Sequence, residues 1–180
     1  MWFYLITFAS TNDYKNQLNS KTMRKEFIFG LIGLIGGILL TTLVAYKAAP
    51  SMMMKEAVSL YDFKTSVEKF EQTVHDMGWK IPAVHDLAET MEINGYQVNN
   101  VKVFELCHPD HAYHILSRDD ERIVSSMMPC RVSIYEKSDG RTYVSWMNTS
   151  MMGNMMGGVI ADVMGEATAD SEAMISVLLQ

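Results

Sequence analysis

Apolar positions are spread unevenly along the chain. Between Phe27 and Tyr46 the run FIFGLIGLIGGILLTTLVAY contains no charged side chain, and as a helix it extends about 30 Å, the thickness of a bilayer's hydrocarbon core. Beyond it the pattern becomes that of a folded domain. EAVSLY reads as a strand. DFKTSVEKFEQTVHDMGWK places Phe63, Val67, Phe70, Val74 and Met77 at the i, i+3/i+4 spacing of an amphipathic helix, with Gly78 as its stop. WKIPAVHDL then reads as extended chain, Pro82 marking an edge.

DLAETMEING predicts a short helix stopped by Asn94-Gly95, and YQVNNVKVFEL alternates as a strand that ends at Cys107. Pro109 suits the first turn of the next helix, PDHAYHILS. RIVSSMMPCRVSIYEKSDGRTYVSWM predicts a strand, an interruption at Pro129, a second strand, a Ser138-Asp139-Gly140 turn and a third strand, the last two forming a hairpin. GGVIADVMGEATADSEAMISVLL closes the chain as a helix. The pattern predicts an α+β fold, an antiparallel sheet with helices packed on one face, preceded by a single transmembrane helix. The expected division is a cytoplasmic N-terminus over 1–26, a span over 27–46, a connector over 47–54 and one domain over 55–180.

Charge sets the orientation. Lys21, Arg24 and Lys25 precede the apolar run, and the positive-inside rule keeps that flank in the cytoplasm and exports residues 47–180. In a bacterium this means the inner membrane, with the C-terminal domain in the periplasm. A cleaved signal peptide fits less well, because VAYKAAPS puts Tyr46 or Lys47 where a cleavage site needs small residues. MRKEFIFG from Met23 has the form of a natural start, so the first 22 residues read as a misplaced one. From Lys47 onward 11 lysines and arginines stand against 19 aspartates and glutamates, leaving −8. Nucleic acid needs clustered positive charge and is excluded as a partner.

From about Tyr61 to Leu178 the chain resembles the domain of unknown function 302 family. The resemblance rests on CHPDHAYHIL, on MMPCRVSIYE and on HDMGWK closing the first helix. It implies a compact fold similar to the TATA-binding-protein-like α+β group, without a nucleic-acid role, and it implies no agreed activity. It also implies that Cys107 and Cys130 lie at the same end of the sheet. The residue usual between Cys and Pro in the family is asparagine; this chain has His108.

Three features carry candidate chemistry. Cys107 and Cys130 are the only cysteines, and they can be a disulfide, two thiolate ligands or two small apolar residues that never meet. His111 and His114 share a helix face, and His108 at the helix entry can turn toward either. With Cys107 they form a ligand set suited to copper or zinc; the plain alternative is that His111 and His114 are solvated and His108 caps the turn. The third feature is methionine. Met52–Met54, Met127, Met128, Met147, Met151, Met152, Met155 and Met156 exceed what packing needs, and a helix over the last stretch pairs Met151 with Met155 and Met152 with Met156. Thioethers bind Cu(I) or Ag(I) without competition from protons; otherwise they are adaptable filler.

Nothing in the sequence has the spacing of a nucleophile motif, a phosphate loop or a C-x-x-C redox pair. Heme remains open through His108, His111 or an axial methionine, though without a C-x-x-C-H attachment motif. The expectation is therefore a non-enzymatic binding or accessory module. Its metal residues are Cys107, His108, His111, Cys130, Met151, Met152, Met155 and Met156, with Cu(I) ahead of zinc and heme. The rival is a structural subunit whose small-residue stretch Gly33–Gly37 packs the span against a second copy or another membrane protein.

Overall fold

The structure is a computed structural model that describes the backbone of residues 2–179 and the side chains of Lys25 and of residues 27–179. Lys21, Arg24 and the segment 1–22 therefore lie outside the residues whose side chains are described. The chain divides into two compact units, Met1–Ala49 and Pro50–Gln180.

Helix α1 (Trp2–Met53) contains the stretch Phe27–Met53, long and apolar enough to cross a membrane, with none of its apolar window buried. Two of its hydroxyls are satisfied within the helix: Thr41 and Thr42 each donate to the carbonyl four residues back, Gly37 and Ile38, at 2.8 Å. Helix continues to Met53, over most of the segment 47–54 read as a connector, with Pro50 inside it.

The second unit is built on a five-stranded sheet. Strands β1 (Met54–Val58), β2 (Val84–Asp86), β3 (Val101–Leu106), β4 (Cys130–Glu136) and β5 (Thr142–Met147) lie in the order β1-β5-β4-β3-β2, every neighbour antiparallel. Helices α2 (Phe63–Asp76), α3 (Leu87–Ile93), α4 (Pro109–Leu116), α5 (Thr149–Met156) and α6 (Gly158–Ser176) complete it, with a 3₁₀ helix over Glu121–Met127. Asp62 caps α2 by accepting from the Thr65 amide at 2.8 Å, and Gly78 ends that helical stretch at φ +79°, where a side chain would be strained.

The core lies between the sheet and the helices α2 and α6. Phe70 and Val74 of α2 meet Phe104, Leu106, Val132, Ile134 and Val144 from the three central strands, with Met174, Ile175 and Leu178 closing from the C-terminal side. Most are fully buried, and each such side chain contributes roughly 1.5–3 kcal/mol by leaving water. A second cluster joins Ile115 of α4, Val124 of the 3₁₀ helix and Ile160, Val163 and Met164 of α6.

Three elements differ from the sequence reading. RIVSSMM is not a strand: only Val124 of that run is buried, Ile123 being 73 % exposed, and the single inward side chain serves the second cluster from a 3₁₀ helix. Only the second half of YQVNNVKVFEL pairs in the sheet, since Tyr96 and Val98 are exposed and give residues 96–100 no face to bury. The methionine stretch is a separate helix, α5, divided from α6 at Gly157 and Gly158, both at positive φ.

Candidate functional site

The antiparallel register gathers one end of every long strand. Leu106 at the end of β3 pairs with Cys130 at the start of β4, and Met147 at the end of β5 pairs with Met54 at the start of β1. Cys107 therefore lies beside Cys130 at this end, as the resemblance implied, and both are free thiols. Cys107 also exchanges two backbone hydrogen bonds with Lys80, at 2.9 and 3.0 Å, which fixes the chain entering α4.

At this end is a cavity of about 350 Å³ with largely apolar walls. Cys107, His108 and His111 contribute from β3 and α4, Met127, Met128 and Cys130 from the approach to β4, and Val163, Met164 and Ala167 from α6. Burial pushes the Cys130 thiol above its usual range, and the nearby Cys107 adds to the shift. The Cys130 sulfur is therefore a neutral wall rather than a ready nucleophile. The one carboxylate in the lining, Glu105, is held below the usual range by His85 and then Arg131, at 3.2 and 3.1 Å.

The histidines divide into three environments. His108 occupies the N-cap position of α4 but makes no capping bond with its side chain, so it does not cap the turn. Its ring packs obliquely against both Trp79 and His111, at centroid distances of 5.4 and 4.7 Å, in a cluster where Trp79 and His111 also meet at 5.7 Å, and its Nδ1 is buried with no hydrogen-bond partner. His111 faces acid on both sides, Nδ1 at 3.5 Å from Glu166 and Nε2 at 3.5 Å from Asp170. Asp170 in turn accepts from the Trp79 indole at 3.2 Å. The contact of His111 Nε2 with Asp170 is within hydrogen-bond reach and competes with any metal for that nitrogen. His114 is exposed at the surface of α4.

The residues expected to form one metal set thus separate. Cys107, His108, His111 and Cys130 line the cavity; Met151, Met152, Met155 and Met156 are absent from its lining, where Met127, Met128 and Met164 stand instead. Among the described residues no three His, Cys, Asp or Glu side chains form a group that could hold a metal ion. Trp79, Met164, Glu166 and Asp170 went unrecognised in the sequence. The only available signal was the i, i+4 spacing of Glu166 and Asp170 on one helix, which names a face but not what it meets.

No curated protein matches the chain. Among solved structures it is similar to an uncharacterized conserved protein DUF302 from Bacillus stearothermophilus, at 16 % identity and a TM-score of 0.63, over 71 % of this chain and 98 % of that one. At that identity the likeness is one of fold. The family model described as "Domain of unknown function DUF302" matches residues 54–178, from the first residue of β1 to the last buried leucine, and the chain belongs to that family.

Proposed function

We propose that this protein is a single-pass membrane-anchored binding module that holds a small, mainly apolar molecule in the cavity at the Cys107–Cys130 end of the sheet. The observation that carries the reading is the pairing of an apolar cavity of about 350 Å³ with a buried, unpartnered Nδ1 on His108. A buried nitrogen without a partner costs about 1–3 kcal/mol, which a ligand hydroxyl or amide recovers once the His108 ring turns its Nδ1 into the cavity it lines. The walls supply the affinity and His108 supplies orientation, the usual division of labour in small-molecule sites. With the Cys130 thiol neutral and the lining carboxylate already paired, the site is suited to holding a molecule rather than transforming it. The anchor is Phe27–Tyr46, with Lys21, Arg24 and Lys25 on the cytoplasmic side and the domain facing the periplasm from the bacterial inner membrane.

The test uses 1-naphthol and naphthalene as probes on the full chain in nanodiscs. The account expects 1-naphthol to bind about tenfold tighter than naphthalene, one hydrogen bond's worth, and His108→Phe to erase the difference. Equal affinities in the parent protein would remove His108 from the site, and no binding of either probe would remove the ligand reading.

A second reading is favoured by the sulfur content of the same lining, where Cys107, Cys130, Met127 and Met128 stand with His108. Here the ligand is Cu(I), held by both thiolates with the thioether of Met127 or Met128, and Met151, Met152, Met155 and Met156 are dispensable. Because the Cys130 thiol must lose its proton, Cu(I) affinity then rises steeply with pH. Titration of Cu(I) under reducing conditions against the parent and the Cys107→Ser/Cys130→Ser chain separates the readings, since only the metal site loses binding altogether.

A further inference from the structure

The cavity leaves most of the methionines unexplained, and the fold brings the remaining clusters together. Met54 is the register partner of Met147 across β1 and β5. The next residue, Asn148, donates its backbone N–H to the Met53 carbonyl at 2.8 Å and its side-chain amide to the Met52 carbonyl at 3.1 Å. The same side chain caps α5, accepting from the Met151 amide at 3.3 Å. Segments some hundred positions apart in the chain thus meet at Asn148. The methionines of these segments are open: Met52, Met53 and Met54 are 54, 41 and 49 % exposed, and at the far end of α5 Met155 is 82 % exposed and Met156 48 %.

Charge marks the same surface. The domain carries a net −8 from Lys47 onward, yet residues 47–55 contain Lys47 and Lys55, the latter paired with Glu172 at 2.5 Å, and no acid, and residues 142–161 contain no charged side chain. Anionic lipid in the leaflet that faces the domain repels its acidic faces and leaves this end to approach.

We propose that this methionine-rich end is a lipid-contact surface, resting on the bilayer that the chain's own anchor spans. The inference rests on the anchored reading above. Covalent continuity supplies the occupant: Met52 lies six positions after Tyr46, and even fully extended chain spans only about 20 Å over that distance. Unbranched thioether side chains adapt to an irregular apolar surface and carry no charge to desolvate. The surface also shares its sheet end with the ligand cavity. Met54 and Cys130 lie two strands apart, about 10 Å by the spacing of strands in a sheet, so a ligand dissolved in lipid has a short path to the site.

The experiment is limited hydrogen peroxide oxidation of the full chain in nanodiscs of equal parts phosphatidylcholine and phosphatidylglycerol, with each methionine read by mass spectrometry. Met91 on α3, half-buried at the opposite end of the sheet, is the internal reference. Lipid contact predicts that Met155 oxidises several-fold more slowly than Met91 although it is far more exposed in the protein itself. Met155 oxidising faster than Met91 overturns the proposal. Protection of Met155 that appears only when Ag(I) is added overturns it as well, by making the surface a thioether metal site. Release of the chain from vesicles by alkaline carbonate would instead sink the anchored reading, so the two failures are distinguishable.

Discussion

The two ends of the sheet obey opposite rules. At the β4–β5 hairpin every charged group has a partner: Asp139 accepts from the Arg141 amide and guanidinium at 2.8–3.0 Å and from the Tyr143 hydroxyl at 2.7 Å, while Glu56 accepts from Lys137 at 2.7 Å and from Tyr135. Tyr143, then Arg141, hold the Asp139 carboxyl down to about 2, and burial, then Glu56, push the Tyr135 phenol up to about 12. At the opposite end a ring nitrogen is buried without a partner, two thiols stay unpaired and the walls of a cavity do not meet. Paired polar groups hold a turn in place; unpaired ones beside a void are what a ligand completes. The contrast separates structural electrostatics from the site without any appeal to residue type, since both ends are rich in reactive side chains.

Both ends hang on one core, so the largest effect comes from breaking it. Phe104 is fully buried and meets Phe70 edge to face at 5.3 Å; Phe104→Ala should cost about 3–5 kcal/mol in chemical denaturation and abolish probe binding together with hairpin order. A loss confined to one end would show that the two are not coupled through the core. Next is Gly153, where an added Cβ lies 2.7 Å from Met164 Cβ and 3.2 Å from the Ile160 carbonyl. Gly153→Ala should cost about 1–3 kcal/mol and, because Met164 lines the cavity, weaken 1-naphthol while leaving the hairpin's pH response intact.

A smaller effect has the opposite sign. His108→Phe removes the unpartnered nitrogen and keeps a ring against Trp79, so the unliganded protein should gain about 1 kcal/mol as it loses selectivity for the hydroxyl; a destabilised variant would mean that His108 serves the fold. The smallest effect belongs to the exposed hairpin. The Asp139 carboxyl titrates lower in the folded chain than its ordinary 3.8, so its contribution is complete above about pH 4 and is lost as pH falls toward 2. Asp139→Asn should flatten that part of the acid limb. For Tyr135 the shift is upward, and its contribution is present below pH 10 and lost between 10 and about 12; Tyr135→Phe should flatten the alkaline limb.

What the sequence revealed follows the same division. Helix α2 was legible because its apolar residues keep one helical stripe, and the hairpin because Ser138-Asp139-Gly140 separates two alternating runs. Cys107, His108 and His111 were legible as chemistry and, with Cys130, do meet at one cavity. Their roles were not legible. Whether His111 is free depends on Glu166 and Asp170, more than fifty positions away on α6, and no local pattern reports such a contact. The 3₁₀ helix deceived for a related reason: Arg122–Met128 has strand-like composition, but a single buried valine docking into α4 and α6 decides its conformation.

The most direct test of the central claim is the ¹⁵N spectrum of the histidine side chains in the full chain, followed as 1-naphthol is added. The five histidines, His75, His85, His108, His111 and His114, are few enough to assign by substitution. A site in which ligand completes His108 predicts that its Nδ1 resonance moves by far more than any other and saturates with probe binding, and that naphthalene leaves it displaced only by ring currents. An Nδ1 resonance unmoved at saturating 1-naphthol, or a larger displacement at the exposed His114, would contradict the account.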